Sequence, residues 1–500
     1  MKELDRIDYS VIEERIKKLE MLLIVPFKHS WETKDFSDAV NQIPIIQISK
    51  DIESQLFEEN RDYLIDLRFA KIPSSATLVT EDYFRGCANQ FWPLKCILYS
   101  GGALYATSEQ IPAGLINRLE MSTLYLEKAL TFNFCTQNDP VTVLTLSQIG
   151  TQLVRLDKPD SYLYFKMAIK YAKMLGINSE DGIAKISPFD YERENIRRIW
   201  WFLYSIFALS TQKFEDEAIK DSDCQLFLPS DNINFRFNSI EDYQGKELMA
   251  STEWYTHCIP NQSVLAYKII LHRIQIKLHK YVLLFLRKES DEIEYIAGAL
   301  DGSLRGWYDC TIGIFNSCVY QIKTRQMQQE EHCWLALTTY LMYNCVRIEL
   351  INPRFMHCIM KDKPVDKILH IREAITAALN NTQLLELIES YNPNFQYISP
   401  LIIALIYRSA FFVQCIMRIP ELEKDYYVRA YEKHLQLFQL YEKSFQRKAV
   451  FYKLLKHTED LDLYSAILFF GELKANNRLL SLEKPKSDPA KMFAKLSLSS

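Results

Sequence analysis

Apolar side chains recur every three or four residues along most of this chain, and that spacing constrains the fold more than any other feature. The pattern runs from about residue 60 to residue 475 and is clearest between residues 264 and 285. The apolar positions in that stretch are Val264, Tyr267, Leu271, Ile274, Leu278, Tyr281 and Phe285. Because an α-helix has about 3.6 residues per turn, these side chains lie on one helix face. No stretch alternates for long at the two-residue period of a strand, so the sequence predicts an all-α protein.

Glycine is scarce in this sequence, and that scarcity points the same way. Only 13 of the 500 residues are glycine, well below the usual share of ~7%. β-Sandwiches, barrels and dinucleotide-binding folds need glycine in their tight turns and phosphate loops, so they are disfavoured. Hydrophobic residues make up 48% of the chain, enough for a large core. With no fixed-period repeat, the prediction is a large multi-helix bundle, solenoid-like, with no significant sheet.

Several helix ends are indicated by capping residues. Asp139 followed by Pro140 is typical of an N-cap and a first helical position, and Gly176 is a C-terminal stop. Later helices are expected at about 303–322, 333–350, 367–390, 399–418 and 426–445. Five prolines are expected to separate them: Pro353, Pro364, Pro393, Pro400 and Pro420.

Composition divides the chain into four parts. Residues 1–25 are predicted to form a short amphipathic coil, 26–60 a linker, 60–475 the helical domain and 476–500 a loose polar tail. The coil carries an apolar seam at heptad spacing: Tyr9, Ile12, Ile16, Leu19 and Leu23. A stable coiled coil usually needs more than two heptads. The seam is therefore either a frayed amphipathic helix or the end of a dimerisation coil, which would support a weak homodimer.

Charge and motif content exclude several functional classes. The formal net charge is −4, which gives no general attraction to nucleic acid. The sequence has no phosphate-binding loop, zinc-protease helix or nucleophile-elbow motif. We therefore do not predict an enzyme, and we assign no catalytic or cofactor-binding residue. The most apolar stretch, 401–416, is too short for a bilayer and contains Arg408, so no membrane partner is expected.

The cysteines and histidines do not form a metal-binding pattern. Eleven cysteines are present, and no two have the two-residue separation of zinc ribbons and redox pairs. The charged N-terminus does not look like a secretory signal, so the cysteines are expected to be buried, reduced thiols. His272 and His279 share a helix face without a carboxylate one turn away, which predicts surface or boundary histidines. No metal site is predicted.

The most informative segment is 191–229, which begins with an unusual helix. Adjacent Arg197 and Arg198 shortly precede adjacent Trp200 and Trp201. Neighbouring residues point about 100° apart on a helix, so the two indoles can pack on two different neighbours. Arg197 lies within one turn of both, close enough for its guanidinium to stack on an indole.

A loop motif follows this helix. Its residues are Ile219, Asp221, Asp223, Cys224, Leu228 and Pro229. Aspartate side chains in turns commonly accept hydrogen bonds from backbone N–H groups. We therefore expect Asp221 and Asp223 to pin the loop that leaves the helix.

The helix and the loop together resemble the middle homology region, the regulatory domain of fungal binuclear zinc-cluster transcription factors. The matching residues are Glu194, Arg197, Arg198, Trp200, Trp201, Tyr204, Ile219, Asp221, Asp223, Cys224, Leu228 and Pro229. The resemblance covers about 60–420 and is specific at 144–229. Two departures stand out. Phe207-Ala208 occupies the place where the family usually has Asp-Arg, and the six-cysteine zinc cluster is not found in this chain.

The resemblance implies a regulatory role in the nucleus. A protein of this family would regulate RNA polymerase II transcription through an effector or through partners such as the transcription machinery or a co-regulator. DNA contact would be made by an upstream zinc cluster or by a partner, and zinc would be a cofactor only in such a cluster. The alternative is a helical scaffold or adaptor protein unrelated to transcription.

Overall fold

The protein is described here by a computed structural model. It covers residues 56–57, 60–71, 79–112, 114–115, 117–134, 139–156, 161–209, 219–220, 223–229, 263–287, 291–326, 330–360, 371–391, 400–419, 424–444 and 450–459. The predicted coil with its apolar seam, nearly all of the predicted linker and the predicted tail lie outside these residues.

Fifteen α-helices make up the described part of the chain. The first eight are α1 (Tyr63–Lys71), α2 (Glu81–Gln90), α3 (Trp92–Ala103), α4 (Arg118–Leu130), α5 (Pro140–Arg155), α6 (Ser161–Leu175), α7 (Glu180–Ile186) and α8 (Asp190–Leu209). The other seven are α9 (Val264–Arg287), α10 (Asp291–Thr324), α11 (Glu330–Met360), α12 (Ile371–Tyr391), α13 (Pro400–Ile416), α14 (Lys424–Ser444) and α15 (Val450–Glu459). Extended pairing in these residues is limited to one isolated parallel bridge between Ser179 and Gln225. The predicted all-α class is confirmed.

Helix ends set by local chemistry lie where the sequence indicates. The Asp139 carboxylate accepts a hydrogen bond from the Thr142 backbone N–H over 2.6 Å, and Pro140 is the first residue of α5. Gly176 ends α6 with a φ of +75°. A side chain would be strained at that φ, so glycine suits this stop.

The N-terminal half is built around α3. This helix contacts α1, α2, α4 and α5, and α5 pairs with α6. A buried polar link joins three of these helices, because the Ser100 hydroxyl donates to the Ser122 carbonyl over 2.7 Å. The Gln152 amide of α5 donates to the Ser122 hydroxyl over 3.0 Å. Buried polar groups paired in this way fix the register of the three helices.

The C-terminal half is built around α11, which contacts α9, α10, α12 and α13. Two ion pairs hold this arrangement together, a buried one between Asp301 and Arg347 and a partly buried one between Glu349 and Arg408. The second pair explains a charge in the most apolar helix of the chain. Arg408 in α13 is half-buried and is neutralised by a glutamate of α11, as a charge shielded from water requires.

Two C-terminal helices differ from the expected boundaries. Helices α10 and α11 are both longer than the sequence indicates, and Pro353 lies inside α11 instead of ending it. A proline in a helix interior costs about 3 kcal/mol. Pro353 and its neighbours Ile351 and Phe355 are buried, so packing on the surrounding helices offsets that cost.

The sequence predicts buried cysteine thiols and surface or boundary positions for His272 and His279. Nine cysteines fall in the described residues; all are free thiols, and six of them are buried. His272 is 0% exposed, so its predicted surface or boundary position is wrong, whereas His279 is half-buried. Among the residues that the structure describes, no helix is long and apolar enough to cross a membrane.

Candidate functional site

The two adjacent tryptophans of α8 are both enclosed by the protein. Trp200 is 0% exposed and Trp201 is 1% exposed. The Trp201 indole N–H donates to the Phe227 carbonyl over 2.8 Å, and its ring meets Tyr204 edge-on at 5.5 Å. In the described residues the Trp200 indole N–H has no hydrogen-bond acceptor. The two indoles therefore differ in role, because only Trp201 is hydrogen-bonded to the loop segment that contains Phe227.

Four charged residues form a largely buried group beside these tryptophans, which we call the Arg197 cluster: Glu180, Glu194, Arg197 and Arg198. The Arg197 guanidinium binds both carboxylate oxygens of Glu180, from Nε and Nη2, each over 2.7 Å. It also donates from Nη1 to Glu194 over 2.5 Å. Arg198 donates from Nε to the other Glu194 oxygen over 3.2 Å. Glu194, Arg197 and Arg198 are buried and Glu180 is half-buried. Two carboxylates and two guanidiniums cancel in charge, which makes this burial tolerable.

Burial and pairing act in opposite directions on the central arginine. Its side chain is 1% exposed and that of Glu194 is 0% exposed. Burial alone lowers the pKa of Arg197, but hydrogen bonding to Glu180 and the charges of both glutamates outweigh it and raise the pKa above its ordinary value. Arg197 is therefore a fixed cation whose role is to bind and orient carboxylates.

A compact turn between α6 and α7 places Glu180 in the cluster. The Ser179 hydroxyl caps α7 by accepting the Gly182 N–H over 3.1 Å. A Cβ on Gly182 would lie 2.0 Å from the Gly176 carbonyl oxygen, so this approach requires glycine. The first residue of α7 is thereby held against α8, with its carboxylate facing Arg197.

The segment 223–229 lies along this turn. Gln225 pairs with the turn in both directions, donating to the Asn178 carbonyl and accepting from the Glu180 N–H, each over 3.0 Å. Next along the segment, the Phe227 N–H donates to the Glu180 carboxylate over 2.9 Å. Glu180 therefore binds the arginine and the loop at the same time.

Of the loop residues singled out from the sequence, Asp223, Cys224, Leu228 and Pro229 lie in this segment, and Ile219 lies shortly before it. Asp223 accepts the Lys220 N–H over 2.9 Å and pairs with Lys173 of α6 over 3.0 Å. The turn-pinning role predicted for Asp223 is present, whereas Asp221 lies outside the residues that the structure describes. The other motif residues of the loop are buried: Ile219, Cys224, Leu228 and Pro229.

Among the described residues, the aromatic ring over the Arg197 guanidinium is that of Phe227 and not one of the two indoles. The guanidinium carbon lies 5.6 Å from the centre of the Phe227 ring. The carboxylates explain the difference, because a guanidinium bound by Glu180 and Glu194 has its orientation set by them. Phe227 is brought over its face by the same loop hydrogen bonds.

Two members of the site were not singled out from the sequence, Glu180 and Phe227. Glu180 directly follows Ser179, and a serine before an acidic residue is a local sign of a helix start. That sign locates α7 but does not reveal a partner seventeen positions away. Phe227 contributes its backbone and its ring face, neither of which leaves a sequence pattern.

The motif residues thus assemble into a helix–loop clamp. In the described ranges, no group of three or more histidine, cysteine or acidic side chains is placed to hold a metal ion. What this fold and site define is an all-α domain with a neutral, buried ionic clamp at its centre. Comparison with protein-family models, curated proteins and solved structures finds no match to this chain.

Proposed function

We propose that this chain is a regulatory domain of the fungal zinc-cluster transcription factor type, which acts in the nucleus on RNA polymerase II transcription. It would do so by binding an effector or partner proteins, such as the transcription machinery or a co-regulator. DNA contact would belong to a zinc cluster upstream of this chain or to a partner, and zinc would belong to that cluster. The proposal rests on the motif residues, and the geometry of those residues supports it.

The supporting observation is that the motif converges on one structural unit. Glu194, Arg197 and Trp201 on α8 meet the loop at 223–229 through Glu180 and Phe227. These residue types are needed together, because removing one partner of a buried ion pair leaves an unpaired charge. A shared motif with this mutual dependence favours a shared fold in that region over a chance likeness.

The clamp also lies where the two halves of the domain meet. Helix α8 packs against α9, and the Ser263 hydroxyl next to the start of α9 donates to the Pro229 carbonyl over 2.7 Å. Direct contacts therefore connect the clamp to the C-terminal half. A regulatory domain needs such a connection between its parts.

A tethering experiment tests this proposal. The full chain is fused to an unrelated DNA-binding domain in a fungal cell that carries a matching reporter, and a fluorescent copy reports localisation. We expect nuclear fluorescence and reporter transcription that differs from that of the DNA-binding domain alone.

Two variants make the test specific. Glu180→Gln keeps the size of the side chain but removes the charge that holds Arg197, so it is expected to weaken the response. Arg429→Met is the matched control, since Arg429 is 77% exposed and only pairs with Glu386 at the surface. A folded protein that leaves the reporter unchanged would instead support the scaffold or adaptor alternative.

A further inference from the structure

Two polar side chains on α9, Lys268 and His272, lie one helical turn apart, and each has a nitrogen without a hydrogen-bond partner among the described residues. His272 is 0% exposed and Lys268 is half-buried. Residues four apart on a helix have Cβ atoms ~5–6 Å apart, so the two side chains are neighbours on one face. In the described part of the chain, the Lys268 ammonium has no hydrogen bond and no ion pair.

The hydrogen bond on the far side of His272 defines what its free nitrogen offers. Gln275 places its amide oxygen 3.3 Å from Nδ1. An amide oxygen only accepts, so Nδ1 carries the proton and Nε2 presents a lone pair. Nε2 is buried and has no partner among the described residues. Burial, and then the nearby Lys268 charge, lower the pKa of His272 to about 3, so the ring is neutral at pH 7.

The helices around α9 do not supply a carboxylate that pairs with the Lys268 ammonium in the described residues. Helix α9 packs against α8, α10 and α11. The buried carboxylates of those helices are Glu194, Asp301 and Glu349, and each is bound by an arginine. Burial lowers the pKa of the Lys268 ammonium to about 8, so it is still mostly cationic at pH 7. An ammonium group and a buried imidazole lone pair thus lie one turn apart on one face of α9, and the described residues supply neither an anion for the first nor a hydrogen-bond donor for the second.

We propose that Lys268 and His272 bind a small anion that carries an O–H group next to its charged oxygen. The charged oxygen would accept from the Lys268 ammonium, and the O–H group would donate to His272 Nε2. Two kinds of compound have this chemistry: a singly protonated phosphate group and a 2-hydroxycarboxylate. The inference is independent of the proposed role in transcription.

Calorimetric titration of the purified full chain at pH 7 tests the proposal with two matched pairs of probes. Inorganic phosphate is compared with sulfate, and lactate with acetate, because the second member of each pair lacks the O–H group at this pH. We expect phosphate or lactate to bind at least about tenfold more tightly than its partner, the ratio for ~1.4 kcal/mol. Whichever pair shows the difference identifies the source. Equal binding within both pairs, or no binding at all, overturns the proposal.

Variants on the same helix show whether the binding is local. Lys268→Met is expected to weaken it at least about tenfold, and the variant should fold, since it removes an unpaired charge. Lys280→Met is the matched control, because Lys280 lies on α9 and is exposed. Equal loss in both variants would contradict a defined site.

A chemical readout on the unmodified chain avoids reliance on folding of a variant. Reductive methylation followed by mass spectrometry compares the reaction rates of Lys268 and Lys280. The bound probe should protect Lys268 and leave Lys280 unchanged. Protection of neither lysine, or of both to the same degree, would show that the anion does not bind where we propose.

Discussion

At the scale of single residues, Arg197 is the side chain on which the clamp depends most. It holds Glu180 and Glu194 together while being 1% exposed itself. Arg197→Met keeps the apolar stem but leaves two carboxylates short of a cation. We expect a loss of about 3–5 kcal/mol in the free energy of unfolding, the usual cost of breaking a buried ion pair. Urea unfolding of the full chain measures it.

A surface arginine provides the control for that measurement. Arg429→Met removes an exposed pair with Glu386, and exposed pairs are worth about 0–1 kcal/mol. A similar loss from both substitutions would mean that the clamp is no more important to stability than a surface contact.

Two buried histidines predict how stability depends on pH. Burial lowers the pKa of His272 to about 3 and that of His434 to about 4. In the unfolded chain both titrate near 6.5. The unfolded state therefore binds more protons as the pH falls below 6.5. Stability from these groups is fully present above that pH and is lost as the pH falls toward 4 for His434 and toward 3 for His272.

A variant without the two histidines measures how much they contribute to the pH dependence of the free energy of unfolding. Each histidine contributes a slope of about 1.4 kcal/mol per pH unit within its window. The double variant His272→Gln/His434→Gln should lose stability less steeply than the unmodified chain between pH 6 and pH 4.5. Chemical unfolding at several pH values gives both slopes, and parallel slopes would contradict the prediction whatever the absolute stabilities.

At the scale of the elements, the two tryptophans of α8 differ in a way that can be tested. Both are enclosed, but only Trp201 donates a hydrogen bond, to the Phe227 carbonyl. Replacement by phenylalanine keeps an aromatic ring and removes the N–H. We expect Trp201→Phe to be more destabilising than Trp200→Phe by about 1 kcal/mol, the usual net worth of such a bond. Thermal or urea unfolding of the two variants gives the difference.

Alanine at the same positions checks the packing itself. Trp200→Ala and Trp201→Ala should each cost about 3–5 kcal/mol, as expected for large buried side chains. Alanine variants that unfold like the unmodified chain would contradict the burial of this helix.

The helices also show which parts of the fold could be predicted from the sequence and which could not. Ends defined by neighbouring residues, such as Asp139 and Gly176, could be predicted because the capping chemistry is local. Pro353 was expected to end a helix, and it does not, because packing around α11 outweighs its local preference. Glu180 could not be placed in the clamp from the sequence either. Its partners are distant in the sequence and meet it only after the helices pack.

At the scale of the whole molecule, the clamp connects parts of the domain that the sequence predicts only as separate helices. The turn before α7, helix α8 and the segment 223–229 are joined by hydrogen bonds to Glu180 and Phe227. The all-α class followed from periodicity and glycine content, which are properties of the entire chain. The packing of α9, α10, α12 and α13 around α11 did not follow in this way. It depends on pairs such as Glu349 with Arg408, and the sequence separation of these two residues does not predict their contact.

Association of whole chains is predicted from a segment outside the described residues. The apolar seam at residues 9–23 gains nothing by facing water, and two heptads alone are marginal. We therefore expect weak dimers, visible only at high micromolar concentration by sedimentation equilibrium. Ile16→Asp with Leu19→Asp puts two charges into the seam and should abolish them.

A control variant shows whether a loss of association comes from the seam positions or from the added negative charge alone. Lys17→Asp with Lys18→Asp also introduces two aspartates in the same short stretch, but at positions beside the seam, so it should weaken association less. A dimer that survives the seam variant would place the interface elsewhere on the chain, and a monomer at every concentration would favour the frayed-helix alternative. Either result would remove the support that residues 9–23 give to the zinc-cluster resemblance, because in that family a coil of this kind joins the DNA-binding modules.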